Sequence, residues 1–198
     1  INSGATLDIG DYGLIFAQNG GEVNVDPGAT IIEGISAEFN AGDQGTVVFT
    51  GNTIFSGGSS CLMTLTGGEM RFEGTLTMEN GSFIQSHGSG GGTYIFEDNV
   101  TLKDGGNGSG YVMDLFFGTE LQMEYNVDIT VHDGAKTRSV GTLADPVTFT
   151  YTGTYDPGVE SWDGIELRGD GNIFEYTILE HAINPLYFRS DNNVVEYS

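Results

Sequence analysis

The 198-residue chain reads as an all-β protein: a β-solenoid in which residues 1–198 form one continuous domain. Three observations predict this. Alternation of apolar and polar residues at period two runs along nearly the whole chain, and helical periodicity is almost absent. Glycine supplies 32 residues and proline 4, with no three-residue period, so frequent tight turns fit and a collagen-like helix does not. Finally, twelve residues are written almost twice, ELRGDGNIFEYT at 166–177 and YFRSDNNVVEYS at 187–198, 21 positions apart. Arg168 matches Arg189, Asp170 matches Asp191, Asn172 matches Asn193, and Glu175-Tyr176 matches Glu196-Tyr197.

In chain order the alternation gives the strands ATLDI, GLIFA, GEVNV, TIIEG, TVVFT, NTIFS, LMTLT, EMRFEG, TLTME, SFIQS, TYIFED, VTLKD and YVMDLFF. The long run ELQMEYNVDITVH follows, then VTFTYTGTY, GIELRG, NIFEYTIL and PLYFRS. Most are separated by two to five residues of Gly, Asn, Asp or Ser, the residues that make turns. No linker rich in Pro or Ser and no block of charge divides the chain.

Looser echoes of the period run upstream. Gly4-Ala5-Thr6 returns as Gly28-Ala29-Thr30, and motifs starting at Asn52, Thr75, Asn99 and Asn126 recur every 23 to 27 residues. A repeat of this kind follows if each coil makes short strands that stack on those of the next coil, with loops free to bulge outward. Like residues then lie about 4.8 Å apart along the axis. Phe174 is expected under Val195, Tyr176 under Tyr197, and Asn172 beside Asn193 at a turn, where asparagine tolerates left-handed backbone. At 22 to 25 residues per coil the chain makes about eight coils. The alternative is an antiparallel β-sandwich, which also uses many short strands but needs no fixed repeat.

The segment WDGIELRGDGNIFEYTILEHAINPLYFRSDNNVVEYS at 162–198 resembles the right-handed parallel β-helix repeat of bacterial and archaeal surface proteins and of pectate-lyase-like enzymes. Residues 1–161 resemble it in style rather than in motif. The resemblance implies a secreted or cell-surface protein of structural or adhesive type. Such a protein self-associates through coil ends or lateral faces, or joins other envelope proteins. It also raises two alternatives, a carbohydrate-active enzyme and a non-catalytic glycan-binding module. A solenoid stopping on a fresh rung either continues in a longer chain or presents that rung to a partner, so an open sheet edge is expected at 193–198. A leader, if the protein is secreted, is expected to have been removed.

Catalytic chemistry has few candidates. The enzymes of that resemblance pair aspartates with a Gly-His-Gly loop, and the nearest string here is Ser86-His87-Gly88, with no Asn-Thr-Asp partner. Asp156, Glu160 and Asp163 cluster in sequence around Trp162, where carboxylates could work beside an aromatic platform for a sugar. The competing expectation is a solvated loop beside a core tryptophan. His87, His132 and His181 lack metal-ligand spacing. Calcium is the one cofactor considered, at acidic turns such as Asp8 with Asp11 or Asp170 with Asp191. The nonapeptide calcium pattern nearest to GGNGSGYVM has Gly110 where its aspartate belongs. Thr148, Thr150, Thr152 and Thr154 form one row, which ordinary strand propensity explains. Asn80, Asn99 and Asn107 each open an N-glycosylation sequon.

Charge bounds the partners. With 6 Lys+Arg against 28 Asp+Glu, the formal net charge is −22. Nucleic acid and anionic membrane surfaces are excluded, because both need clustered cations. Acidic polysaccharides are disfavoured for the same reason, which leaves neutral glycans. Arg168 and Arg189 are expected to pair with Asp170 and Asp191, or with Glu175 and Glu196, in a ladder up one face. Cys61 is alone, so no internal disulfide can form; a buried inert thiol is expected, with an intermolecular bridge as the alternative. No apolar run reaches the ~18 residues of a membrane helix.

Overall fold

A computed structural model describes residues 1–10, 13–27, 30–33, 38–55, 61–64, 67–86, 91–104, 110–153 and 161–197. The side chains of 8–10, 30–33, 61 and 63–64 lie outside that description, so the Cys61 thiol is not placed. Among the described residues the chain forms 23 strands and no helix.

Every third strand stacks on the same face. The first face carries β1 (Thr6–Gly10) and β4 (Thr30–Glu33) as a two-stranded sheet. It continues as a separate six-stranded sheet of β7 (Thr53–Phe55), β10 (Leu76–Met78), β13 (Val100–Leu102), β16 (Asp128–Val131), β19 (Trp162–Leu167) and β22 (Ala182–Phe188). The second face is an eight-stranded sheet of β2 (Leu14–Ala17), β5 (Glu38–Ala41), β8 (Cys61–Thr64), β11 (Phe83–Ser86), β14 (Met113–Phe116), β17 (Thr137–Val140), β20 (Ile173–Glu175) and β23 (Val194–Glu196). The third has seven strands: β3 (Glu22–Val25), β6 (Thr46–Phe49), β9 (Glu69–Phe72), β12 (Thr93–Phe96), β15 (Glu120–Met123), β18 (Val147–Tyr151) and β21 (Thr177–Leu179).

Pairing is parallel in every sheet, for example Thr46↔Glu69 and Phe49↔Phe72 in one ladder and Leu76↔Val100 in another. The chain is therefore a β-solenoid and not an antiparallel sandwich. It makes about six turns, against the eight expected, counted where the six-stranded sheet runs unbroken beside the other two. Turn length also varies along the stack. Stacked partners are 23 and 24 residues apart at Thr53↔Leu76↔Val100. They are 29 apart at Val100↔Ile129 and 36 apart at Ile129↔Ile165, so those turns hold more residues.

Two runs expected as single strands are broken at corners. ELQMEYNVDITVH splits into β15 and β16 around Asn126, which has φ 60°. NIFEYTIL splits into β20 and β21 at Tyr176, with φ 45°. A left-handed residue turns the chain from one face to the next, and unbroken alternation hides it. Asn19, Asn80 and Asn192 do the same elsewhere, as expected of a residue that tolerates this conformation. Strands β5 and β17 were not anticipated: the inward positions of β17 are Thr137 and Ser139, so its alternation carries little hydrophobic contrast.

The core fills the space between the three sheets. Phe49, Phe72 and Phe96 occupy equivalent positions on successive rungs, with ring centroids 5.0 Å and then 5.4 Å apart and nearly parallel planes. Parallel stacking requires like on like, and offset aromatic rings satisfy that requirement at the rung spacing. The second sheet carries an inward polar seam instead. Ser86 accepts from Phe116 N and from Thr119 Oγ1, and Ser139 shares a hydrogen bond with Thr177. These hydroxyls satisfy buried polar groups at corners where the ladder cannot.

Candidate functional site

The duplicated segment stacks as its sequence indicates. Phe174 pairs with Val195 in the β20–β23 ladder, and the Tyr176 and Tyr197 rings lie 4.8 Å apart at 10°. Asn172 is buried and Asn193 half-buried. Asn172 Nδ2 donates to Asn193 Oδ1 at 2.8 Å, and the Asn172 backbone N–H donates to the same oxygen. Asp170 accepts the Asp191 N–H at 2.9 Å, so that carboxylate ties two rungs together. The arginines differ from expectation. Arg168 and Arg189 both bind Glu166, not Asp170, Asp191, Glu175 or Glu196. Glu166 belongs to β19 and points out of the first face, within reach of its own rung's Arg168 and the next rung's Arg189.

The Arg168 hydrogen bond, opposed by partial burial and aided by the charges of both arginines, holds the Glu166 carboxyl below its ordinary 4.5. A depressed carboxyl contributes stability that is present above its unfolded value and lost as the pH falls through its folded value. The wild-type urea midpoint is expected to drop on going from about pH 6 to about pH 3, and Glu166→Gln is expected to drop less over that range. Equal slopes in the two proteins would contradict this coupling.

Trp162 is not a platform. It is fully buried against Phe149, and its indole N–H donates to the Glu180 carbonyl at 2.8 Å. Asp163, its neighbour, is exposed. Asp156 and Glu160, the other members of that cluster, lie outside the described residues, as do Asn107 and His87. Asn80 sits exposed at a turn. Asn99 is exposed too, but its Oδ1 accepts the Asp128 N–H at 2.9 Å. His181 is engaged with Thr150, which also donates to Glu180; Thr154 lies outside the described residues.

Asp163 instead borders a hollow that the sequence did not reveal. On the outer side of the first face, Asp128, Gly164 and Asn184 stand in one column of β16, β19 and β22. The middle member has no side chain, and a notch opens over it between its neighbours. Only glycine fits there: φ is 135°, and a Cβ would lie 1.7 Å from the Asn184 carbonyl oxygen. Directly beyond, the ladder register shifts between Gly164 and Ile165, so that Gly164 faces Asn184 while Ile165 faces Leu186. Pro185 is the extra residue, and a proline inside a strand belongs at such a bulge because it cannot donate to the ladder. The shift reverses the alternation. Leu186 turns toward the core and Tyr187 turns out, 51% exposed. The hollow has a volume of about 410 Å³ and is lined by Asp128, Asp163, Glu166, Asn184, Tyr187 and Arg189, with Gly164 and Ile165 behind. Arg189 lies over the Tyr187 ring at 4.9 Å.

Among the described residues no group of three or more His, Cys, Asp or Glu is placed to hold a metal ion, and no helix is long and apolar enough to cross a membrane. Comparison with protein-family models, curated proteins and solved structures finds no match to this chain.

Proposed function

We propose that this chain is a structural or adhesive β-solenoid, a right-handed parallel β-helix by the general chirality of parallel crossovers, that works at a cell surface or outside the cell. It assembles with further copies of itself through its coil ends. The observation that carries this reading is the rung formed by β22 and β23. Ile183, Phe188, Val194 and Val195 are all exposed there, and among the described residues β23 pairs with β20 alone. An apolar rung with an unpaired ladder edge favours the addition of another strand, whether from a second copy or from further chain. The flanks argue in the same direction. A net charge of −22 opposes side-by-side contact at low salt, so the ends are where contact costs least.

Sedimentation of the 198-residue chain over a range of protein and salt concentrations tests the reading. Concentration-dependent growth, filaments in electron micrographs, and their suppression in Ile183→Lys/Val195→Lys are expected. A monodisperse monomer at high protein and high salt would overturn it. So would turnover of a glycan panel that is lost in Asp163→Asn, which would make the protein a carbohydrate-active enzyme.

A further inference from the structure

We infer that the notch over Gly164 is a binding site for an uncharged saccharide unit of a glycan. This inference rests on the adhesive part of the proposed function and is independent of assembly. Three features converge on one place. A glycine that no other residue could replace removes the middle side chain of a column. A proline bulge on the adjacent rung turns an aromatic ring out of the core beside that gap. Polar groups of the right type then ring the opening.

The chemistry selects the ligand class. A sugar ring offers adjacent hydroxyls on its edge and an apolar C–H face. Asp128 and Asp163 are acceptors suited to hydroxyl donors, and the Asn184 amide both donates and accepts. Asp128 has one carboxylate oxygen engaged by Thr130 at 2.9 Å, which orients it. Tyr187 is 51% exposed and, with Arg189 over one side of its ring, brings aromatic surface of the kind that packs against C–H groups to the rim. The volume of about 410 Å³ lies within the range of small-ligand sites.

The charges argue against an acidic sugar. Arg189 reaches the notch but is bonded to Glu166, as is Arg168. Asp128 and Asp163 then set the local sign, on a chain of net charge −22. A carboxylated or sulfated polymer would meet repulsion, with no unpaired cation among the described residues that line the notch to offset it.

Native affinity electrophoresis of the dilute, unassembled chain in gels containing laminarin, soluble xylan or galactomannan provides the test, with polygalacturonate as the anionic arm. Retardation is expected in at least one neutral gel and not in polygalacturonate. Tyr187→Ala should weaken it about tenfold, the scale of one aromatic contact, and Asp163→Ala should weaken it as well. Tyr197→Ala, which removes an exposed ring on another face, should leave it unchanged. Both notch residues are exposed, so circular dichroism and the melting temperature should match wild type. Absence of retardation in all three neutral gels would overturn the inference, as would equal loss in Tyr187→Ala and Tyr197→Ala or equal retardation by polygalacturonate. Sedimentation reads assembly separately, so the two proposals can fail independently.

Discussion

Phe72→Ala should lower the unfolding free energy by about 3–5 kcal/mol in equilibrium urea denaturation. Phe72 is fully buried in the middle of the ring column, with Phe49 at 5.0 Å on one side and Phe96 at 5.4 Å on the other. Truncation removes the transfer term for a whole ring and leaves a cavity that the neighbours cannot fill, because the backbone ladders fix β6, β9 and β12 at the rung spacing. Two ring contacts are lost as well, each about 0.5–1.5 kcal/mol. A solenoid adds a second consequence. Each turn is stabilised by its own packing and by its two neighbours, so a weak central turn uncouples the two halves. Unfolding should broaden or split, which the urea slope and hydrogen exchange resolve by segment. A loss under about 1 kcal/mol would mean that the column packs far more loosely than its geometry indicates.

Asn172→Ala should cost about 3 kcal/mol or more, although it removes only a small polar side chain. Asn172 Oδ1 accepts from both the backbone N–H and the hydroxyl of Thr137, and Nδ2 donates to Asn193 Oδ1 and to the Gly169 carbonyl. Thr137 and Asn172 are both buried, so truncation leaves several polar groups unsatisfied at about 1–3 kcal/mol each. Asn172→Asp keeps the acceptor for Thr137 but directs a carboxylate oxygen at two other oxygens. It should therefore be destabilised as well, and more at neutral pH than in acid, where protonation restores a donor. Asn193→Ala should cost less, because Asn193 is half-buried and water can replace its side chain. If Asn172→Ala and Asn193→Ala proved equal, the burial argument would fail.

Much of this was legible in the letters, for a specific reason. Parallel stacking puts one residue on its counterpart a period away, so the match between 166–177 and 187–198 encodes the contacts Phe174↔Val195, Tyr176 on Tyr197 and Asn172 with Asn193. The sequence is less informative where partners are set by reach. Glu166 in β19 and Arg168 just beyond its end lie two residues apart, so their bond depends on side-chain direction, and Arg189 joins them from the next rung. Trp162 was ambiguous because a tryptophan beside acidic residues suits a sugar platform and a core corner equally well; burial decided it. The notch left one unused signal. Pro185 inside an otherwise strand-like stretch requires a bulge or an edge, and a bulge changes which of Leu186 and Tyr187 faces out. Gly164 within β19 pointed to the same place, since glycine inside a strand marks a close backbone approach.

Because every ladder among the described residues runs parallel, the stack has a direction, and its first and last described rungs are chemically different surfaces. The β22–β23 rung offers Phe188, Val194 and Val195, whereas the outermost strand at the other end of the eight-stranded sheet, β2, exposes Leu14 and Phe16. A two-fold axis normal to a sheet would pair an edge strand antiparallel with its own copy, so only end-to-end addition continues the parallel ladder. In the assembly proposed above, with the parallel ladder continued from copy to copy, contact is heterologous, each copy adding to the next by the same screw operation. Under that proposal assembly would not close into a dimer of fixed size: it would give a polar filament with distinguishable ends, whose mean length rises with concentration and whose two tips grow at different rates.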